Sequence, residues 1–167
     1  MKKKIIYTLI IAVMLMAVLT ACGENDKKDD SENASGGKEI DVQAAADKIL
    51  SDGDFKDQLA AVDKSMALGR LYSLDESSIE AAAFYTNSNS TAEEIAIIKA
   101  NSSDYVETIK AAYEKRVSDQ KEACKDYLPD EMPKLESAVI YTNGNYVVLC
   151  VSNDNSKAED IIKELFK

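Results

Sequence analysis

Three kinds of hydrophobic pattern divide this chain. Residues 5–19 form a nearly unbroken apolar run, interrupted only by Tyr7 and Thr8, whereas residues 24–39 (ENDKKDDSENASGGKE) carry almost no apolar side chain. Beyond them, Val42, Ala45, Ala46, Ile49 and Leu50 recur at helical spacing, with Asp41 placed to cap the first turn and Gly53 to end the last. A shorter helical stretch over 63–72 carries Met66 and Leu71. Val106, Ile109, Tyr113, Val117, Cys124 and Leu128 mark one face of a long helix over 103–127, which Pro129 stops. The final helix is announced by Ser156-x-x-Glu159, the pattern of a capping box, followed by Ile161, Ile162, Leu165 and Phe166.

Alternating positions predict the strands. Residues 138–143 and 145–152 read as a hairpin, with Asn143-Gly144 its tight turn. Self-comparison adds a second pair. Ile79-Glu-Ala-Ala-Ala-Phe-Tyr-Thr-Asn87 aligns without gaps on Leu135-Glu-Ser-Ala-Val-Ile-Tyr-Thr-Asn143, and residues 95–101 align on 147–153, with a helix after each copy. Local propensity favours helix over 77–86, through Ser77-x-x-Glu80 and three alanines, and Thr91-x-x-Glu94 gives the next segment the same look. The duplicated Tyr-Thr-Asn ending outweighs that preference. The expected fold class is α+β: two consecutive ββα units forming a four-stranded, mainly antiparallel sheet with packed helices, preceded by one or two short helices. Residues 40–167 suffice for a single globular domain with its own core.

The hairpin also states how the sheet must be covered. One face carries Ala138, Ile140, Val147, Leu149 and Val151, and the other Val139, Tyr141, Tyr146, Val148 and Cys150. Neither face is polar, unlike an antiparallel sheet with one side in water. The long helix and the last helix can both pack on the first face. The second is left to the helix at 41–51, a second copy of the chain in a homodimer, or a partner protein, with cover from within the chain the leading expectation. Tyr141, Tyr146, Val139 and Val148, with Tyr85 as an echo, form the candidate interaction face, because a tyrosine ring buries while its hydroxyl stays paired. Cys124 lies on the apolar stripe of the long helix, so packing that helix on the aliphatic face sets it opposite Cys150, and two buried free thiols are expected.

Composition narrows the chemistry. The 167 residues include 20 Lys+Arg against 30 Asp+Glu, a formal charge of −10, and no His or Trp. A chain without His has no Ser–His or Cys–His pair and no imidazole-ligated zinc. Nucleic acid is not expected as a partner, since that affinity comes from Lys and Arg on phosphates. No cofactor or metal site is expected either: Asp52-Gly53-Asp54 lacks the further ligands of a calcium loop, and Gly36-Gly37 follows no strand. Ser118-x-x-Lys121 has the spelling of a penicillin-recognising serine enzyme but no Ser-Asp-Asn or Lys-Thr-Gly beside it, so no enzyme activity is expected.

The N-terminus reads as an address. Lys2-Lys3-Lys4, the apolar run and the small residues Thr20-Ala21 before Cys22 make residues 1–21 a signal peptide, shorter in its apolar part than the ~20 residues of a spanning helix. Leu19-Thr20-Ala21-Cys22 resembles the lipobox of bacterial lipoproteins. That likeness implies cleavage between Ala21 and Cys22 and diacylglyceryl on the Cys22 thiol, so the chain is held at the extracytoplasmic face of the cell membrane through its lipid. Residues 22–39 then form an acidic tether with ends on the order of 20–25 Å apart.

The lipobox and tether, Leu71-Tyr72, Glu-Glu-Ile-Ala-Ile at 93–97 and Gly-Asn-Tyr-Val-Val at 144–148 together resemble a family of small lipoproteins of Gram-positive bacteria whose shared C-terminal domain has no assigned function. The resemblance implies a surface-anchored location and no particular chemistry. Two roles fit: a non-enzymatic domain docking on an envelope protein, and a small-molecule or peptide receptor.

Overall fold

The computed structural model describes residues 38–87 and 91–167. The signal segment, the cleavage site at Ala21 and Cys22, and most of the tether lie outside the described residues. Helix α1, Val42–Asp52, is capped by the Asp41 carboxylate, which accepts from the Gln43 and Ala44 amides, and it ends at Gly53. A side chain on Gly53 would stand 2.5 Å from the Ile49 carbonyl oxygen and 2.6 Å from the Phe55 ring, a close approach only glycine permits. Strand β1, Ala60–Ala61, follows. Helix α2, Lys64–Met66, capped by Asp63, widens into a π-helical segment, Ala67–Tyr72, closed by Ser73 in the left-handed conformation at φ 54°. Met66 is exposed there, and Ala67, Leu68 and Tyr72 turn inward instead.

Strands β2, Ile79–Thr86, and β3, Glu94–Ala100, confirm that the alanine-rich stretch is extended despite its helical propensity. Helix α3, Val106–Tyr127, buries Ile109, Tyr113, Val117 and Cys124, the stripe expected of it. A single 3₁₀ turn with Pro129 at its start leads into α4, Met132–Glu136, an element no pattern announced. Strands β4, Val139–Asn143, and β5, Tyr146–Val151, precede α5, Asn155–Leu165.

The sheet has five strands in the order β1-β2-β3-β5-β4, and every pair is antiparallel. The expected four-stranded sheet therefore gains β1 at its edge. The hairpin turn is Gly144-Asn145, one residue later than expected, with Asn143 opposite Tyr146 and Gly144 at φ 56°. Positive φ at the first central position is the type II′ pattern, which Gly serves without strain. The last helix is capped by Asp154, which accepts from the Lys157 amide, rather than by Ser156.

The sheet faces sort as the alternation requires. Ile140, Val147, Leu149 and Val151 join the core under α3 and the π segment. Val139, Tyr146, Val148 and Cys150 join a second core with α1 and α5. The last helix thus packs on the second face, not beside the long helix, and together with α1 it supplies the cover from within the chain. Because both faces are roofed, β3 and β5 are buried almost throughout and read as continuous apolar runs. The internal alignment slips by one residue in its second strand: Ile95 lies in the α1/α5 core, whereas its aligned counterpart Val147 lies in the α3 core. A one-residue slip exchanges faces, so residues 95–101 and 147–153 are not structural equivalents.

Cys124 and Cys150 are both buried and unbridged, one in each core. Burial, then the nearby Glu93 and Glu94 carboxylates, push the Cys150 thiol up to about 12. At pH 8 only about one molecule in ten thousand then carries a thiolate, the nucleophilic form. Alkylation of native protein with iodoacetamide is expected to leave Cys150 unmodified, full labelling appearing only in denaturant. Rapid native labelling of Cys150 would show that the α1/α5 layer opens.

Candidate functional site

The chemically distinctive part of the domain gathers where β3 begins. Glu93 and Glu94 are only 0% and 1% exposed. Carboxylates are almost never buried so fully unless paired. Glu94 points to the α3 side, where Arg116 donates from Nη2 at 2.7 Å and from Nε at 3.1 Å, Gln120 Nε2 donates at 3.2 Å, and the Tyr72 hydroxyl supplies a further hydrogen bond. Arg116 and Gln120 stand one helical turn apart on α3 and so reach one target. Tyr72 is delivered by the π segment and packs edge-on against Tyr113 with ring centroids 5.1 Å apart. Burial, then the Glu94 charge, hold the hydroxyls of Tyr72 and Tyr113 well above the ordinary tyrosine range. The Tyr113 hydroxyl and Gln120 Oε1 have no hydrogen-bond partner among the described residues.

Glu93 fastens a different set of elements. Its carboxylate accepts from the Lys56 amide at 2.9 Å, the Asp57 amide at 3.0 Å and the Lys134 ammonium at 2.8 Å. Lys134 also pairs with Glu131 at 3.1 Å, and Glu131 accepts from the Ala92 amide at 3.0 Å. Two buried carboxylates thus share one buried ammonium. Asn155 completes the junction, donating to the Lys134 carbonyl and the Ser137 hydroxyl and accepting from the Ser152 amide. Every oxygen of Glu93 and Glu94 is taken up by fixed donors. These groups clamp the loop after α1, α3 and α4 onto the sheet.

Beside this cluster opens a cleft of about 740 Å³ between the 56–60 loop and the end of α3, its lining including Lys56, Asp57, Ala60, Thr91, Tyr127 and Asp130. Glu131 forms part of its wall. Tyr127 is 87% exposed, the most exposed large hydrophobic side chain of the described residues.

Three of the five residues of the candidate interaction face are buried, and Tyr141 and Tyr85 are half-buried. Val139, Val148 and Tyr146 are buried, and the rings of Tyr141 and Tyr146 pack on Phe166 at 5.4 Å. The Tyr146 hydroxyl donates to the Ile40 carbonyl at 3.2 Å and accepts from the Ile40 amide at 3.1 Å. Tyr85 remains half-buried, its hydroxyl donating to Asp47 on α1 at 2.6 Å and accepting from Gln43. That hydrogen bond, then the one from Gln43, hold the Asp47 carboxyl below its usual range. Within the chain, the Tyr85 hydroxyl is thus bound to the first helix and the Tyr146 hydroxyl to the backbone just before it. Among the described residues no helix is long and apolar enough to cross a membrane, and no three Cys, Asp or Glu are grouped to hold a metal ion.

Sequence reasoning took Asp130-Glu131, beside Pro129 and Pro133, as a polar loop, and gave no role to Glu93, Glu94, Lys134, Arg116 or Tyr127. A signal existed for the first two: acids that open the uninterrupted run Ile95-Ala96-Ile97-Ile98 must be buried with it once both sheet faces are covered. Nothing in the pattern marks Tyr127, which lies about 100° around the helix from Leu128, the last member of the apolar stripe.

A family model described as a domain of unknown function, DUF4358, matches residues 51–152, more than half of the chain. No curated protein and no solved structure matches.

Proposed function

The chain belongs to the DUF4358 family, a domain of unknown function, and on that premise we propose that it is a lipid-anchored extracytoplasmic lipoprotein whose domain docks, without catalysis, on another protein of the cell envelope. The anchoring part of this reading is supported by Leu19-Thr20-Ala21-Cys22 behind a basic and apolar leader. The docking part is carried by one observation: the cleft beside Tyr127 stays open while the chain's own helices cover both sheet faces. An exposed tyrosine at a recess suits a partly wet protein contact, since its ring contributes area and its hydroxyl remains hydrogen-bonded. Two acyl chains on Cys22 would hold the domain stably, at roughly 0.8 kcal/mol for each buried methylene.

The cleft volume also falls in the range of small-molecule sites, which favours a ligand-binding lipoprotein as the second reading. A photo-reactive aromatic residue placed at Tyr127 in intact cells separates the two. Docking is expected to give reproducible protein adducts at 127 and none at Asp160, an exposed position on α5. No adduct at 127, with a metabolite raising the melting temperature, would reverse the choice. Mass analysis of the same material checks the anchor, with acylated Cys22 expected as the first residue.

A further inference from the structure

Resting on the docking reading, we infer that the occupant of the cleft is a peptide segment presenting Lys or Arg side chains, received at the end of the sheet opposite Glu39 and Ile40. The chemistry of the lining selects a cation. Tyr127 offers an exposed ring face beside the cleft, and an ammonium or guanidinium over such a ring is attracted by its quadrupole. Among the described residues, Asp57 and Asp130 line the cleft against the cation Lys56, and Glu131 in its wall is already bound to Lys134. Lys134 behind the wall does not alter that balance, because it is already shared between Glu93 and Glu131. A recess with an aromatic surface and an excess of carboxylates steers a basic segment inward and repels an acidic one.

Strand register fixes which end of the sheet carries the cleft. Lys99, at the far end of β3, pairs with Tyr146 in the sheet and binds Glu39 at 2.6 Å, while the Tyr146 hydroxyl holds Ile40. The Glu39 hydrogen bond, then that of Glu80, raise the Lys99 pKa, so this clasp stays charged. The chain from the anchor therefore joins the domain at the Lys99 end. The cleft lies at the other end, where Ala60 pairs with Thr86 and Glu94 with Thr86 and Val151. Five residue steps of strand separate the two, about 17 Å. A lipid surface is disfavoured because the acidic lining of the cleft is repelled by anionic headgroups.

The test uses the full acylated chain in phosphatidylcholine vesicles, titrated with a fluorescent peptide of alternating Lys and Ala and with its Glu–Ala counterpart. The Lys peptide is expected to bind, and to bind more weakly as salt is raised. Tyr127→Ala and Asp130→Asn should each lower its affinity roughly fivefold, and Asp160→Asn should leave it unchanged. Equal binding of the two peptides, or indifference to both cleft substitutions, overturns the inference. Protein adducts at position 127 in cells without any Lys-peptide binding would retain docking and discard the basic segment. Lipid-bearing adducts at 127 in phosphatidylglycerol vesicles would make the occupant a membrane surface and also overturn it.

Discussion

Replacing Lys134 by Met is expected to destabilise the domain by about 4–5 kcal/mol, with urea unfolding shifted to lower midpoint at unchanged slope. Met keeps the length and most of the volume of the lysine stem, so the effect is that of charge rather than packing. What remains is Glu93 at 0% exposure and Glu131 at 3%, two carboxylates with no counter-charge. The amides of Lys56, Asp57 and Ala92 still donate to them, which offsets part of the cost. Burial alone would lower the Lys134 pKa, but the hydrogen bonds it donates to Glu93 and Glu131 outweigh it and the net shift is upward. A raised lysine contributes stability below its unfolded value of about 10.4 and loses it only as pH climbs through the folded one. The Lys134 charge itself therefore adds no pH dependence between pH 6 and pH 8. Adding Glu93→Gln and Glu131→Gln should restore much of the lost stability, since neutral amides need no counter-charge. A change below about 1 kcal/mol would mean that water reaches these carboxylates.

Arg116→Met comes next, at about 3 kcal/mol. Glu94 then keeps the Tyr72 hydroxyl and Gln120 amide as donors but loses the forked guanidinium. The effect is smaller because Arg116 is half-buried, and because one carboxylate is abandoned instead of two. Glu94→Gln alone should cost less than Arg116→Met, and the double variant should lie well short of their sum, the mark of direct coupling. Strict additivity would show that Glu94 and Arg116 do not interact in solution.

Much of the architecture was legible because it follows from periodicity. The hairpin faces, the buried stripe of α3 and the Asp41 cap each rest on spacing over a few turns or strands. Features decided by a single residue were misplaced. The turn falls on Gly144-Asn145 because register against β5 chooses which pair closes it. Asp154 rather than Ser156 caps α5 because its carboxylate meets the Lys157 amide. The internal repeat holds for the first strand of each pair, where Ala82 and Ala138 share a core and so do Tyr85 and Tyr141. It fails in the second strand, where similar apolar residues fit either side of a sheet covered on both faces. For the same reason the tyrosines of the hairpin, whose apolar surroundings mark a contact, could not reveal whether that contact lies inside the chain or outside it.

The amino-acid pattern by itself determined that this is an α+β chain with a sheet apolar on both faces, since side-chain period is a local property. Which helix covers which face, and that Glu93 and Glu94 meet Lys134 and Arg116, only the tertiary structure decided. Those contacts join residues 22 to 41 positions apart, and a buried charge is tolerated only where the fold delivers its partner. The cleft beside Tyr127 is likewise a matter of packing: it exists where α3 ends and the 56–60 loop is pinned, a coincidence in space that no local pattern encodes.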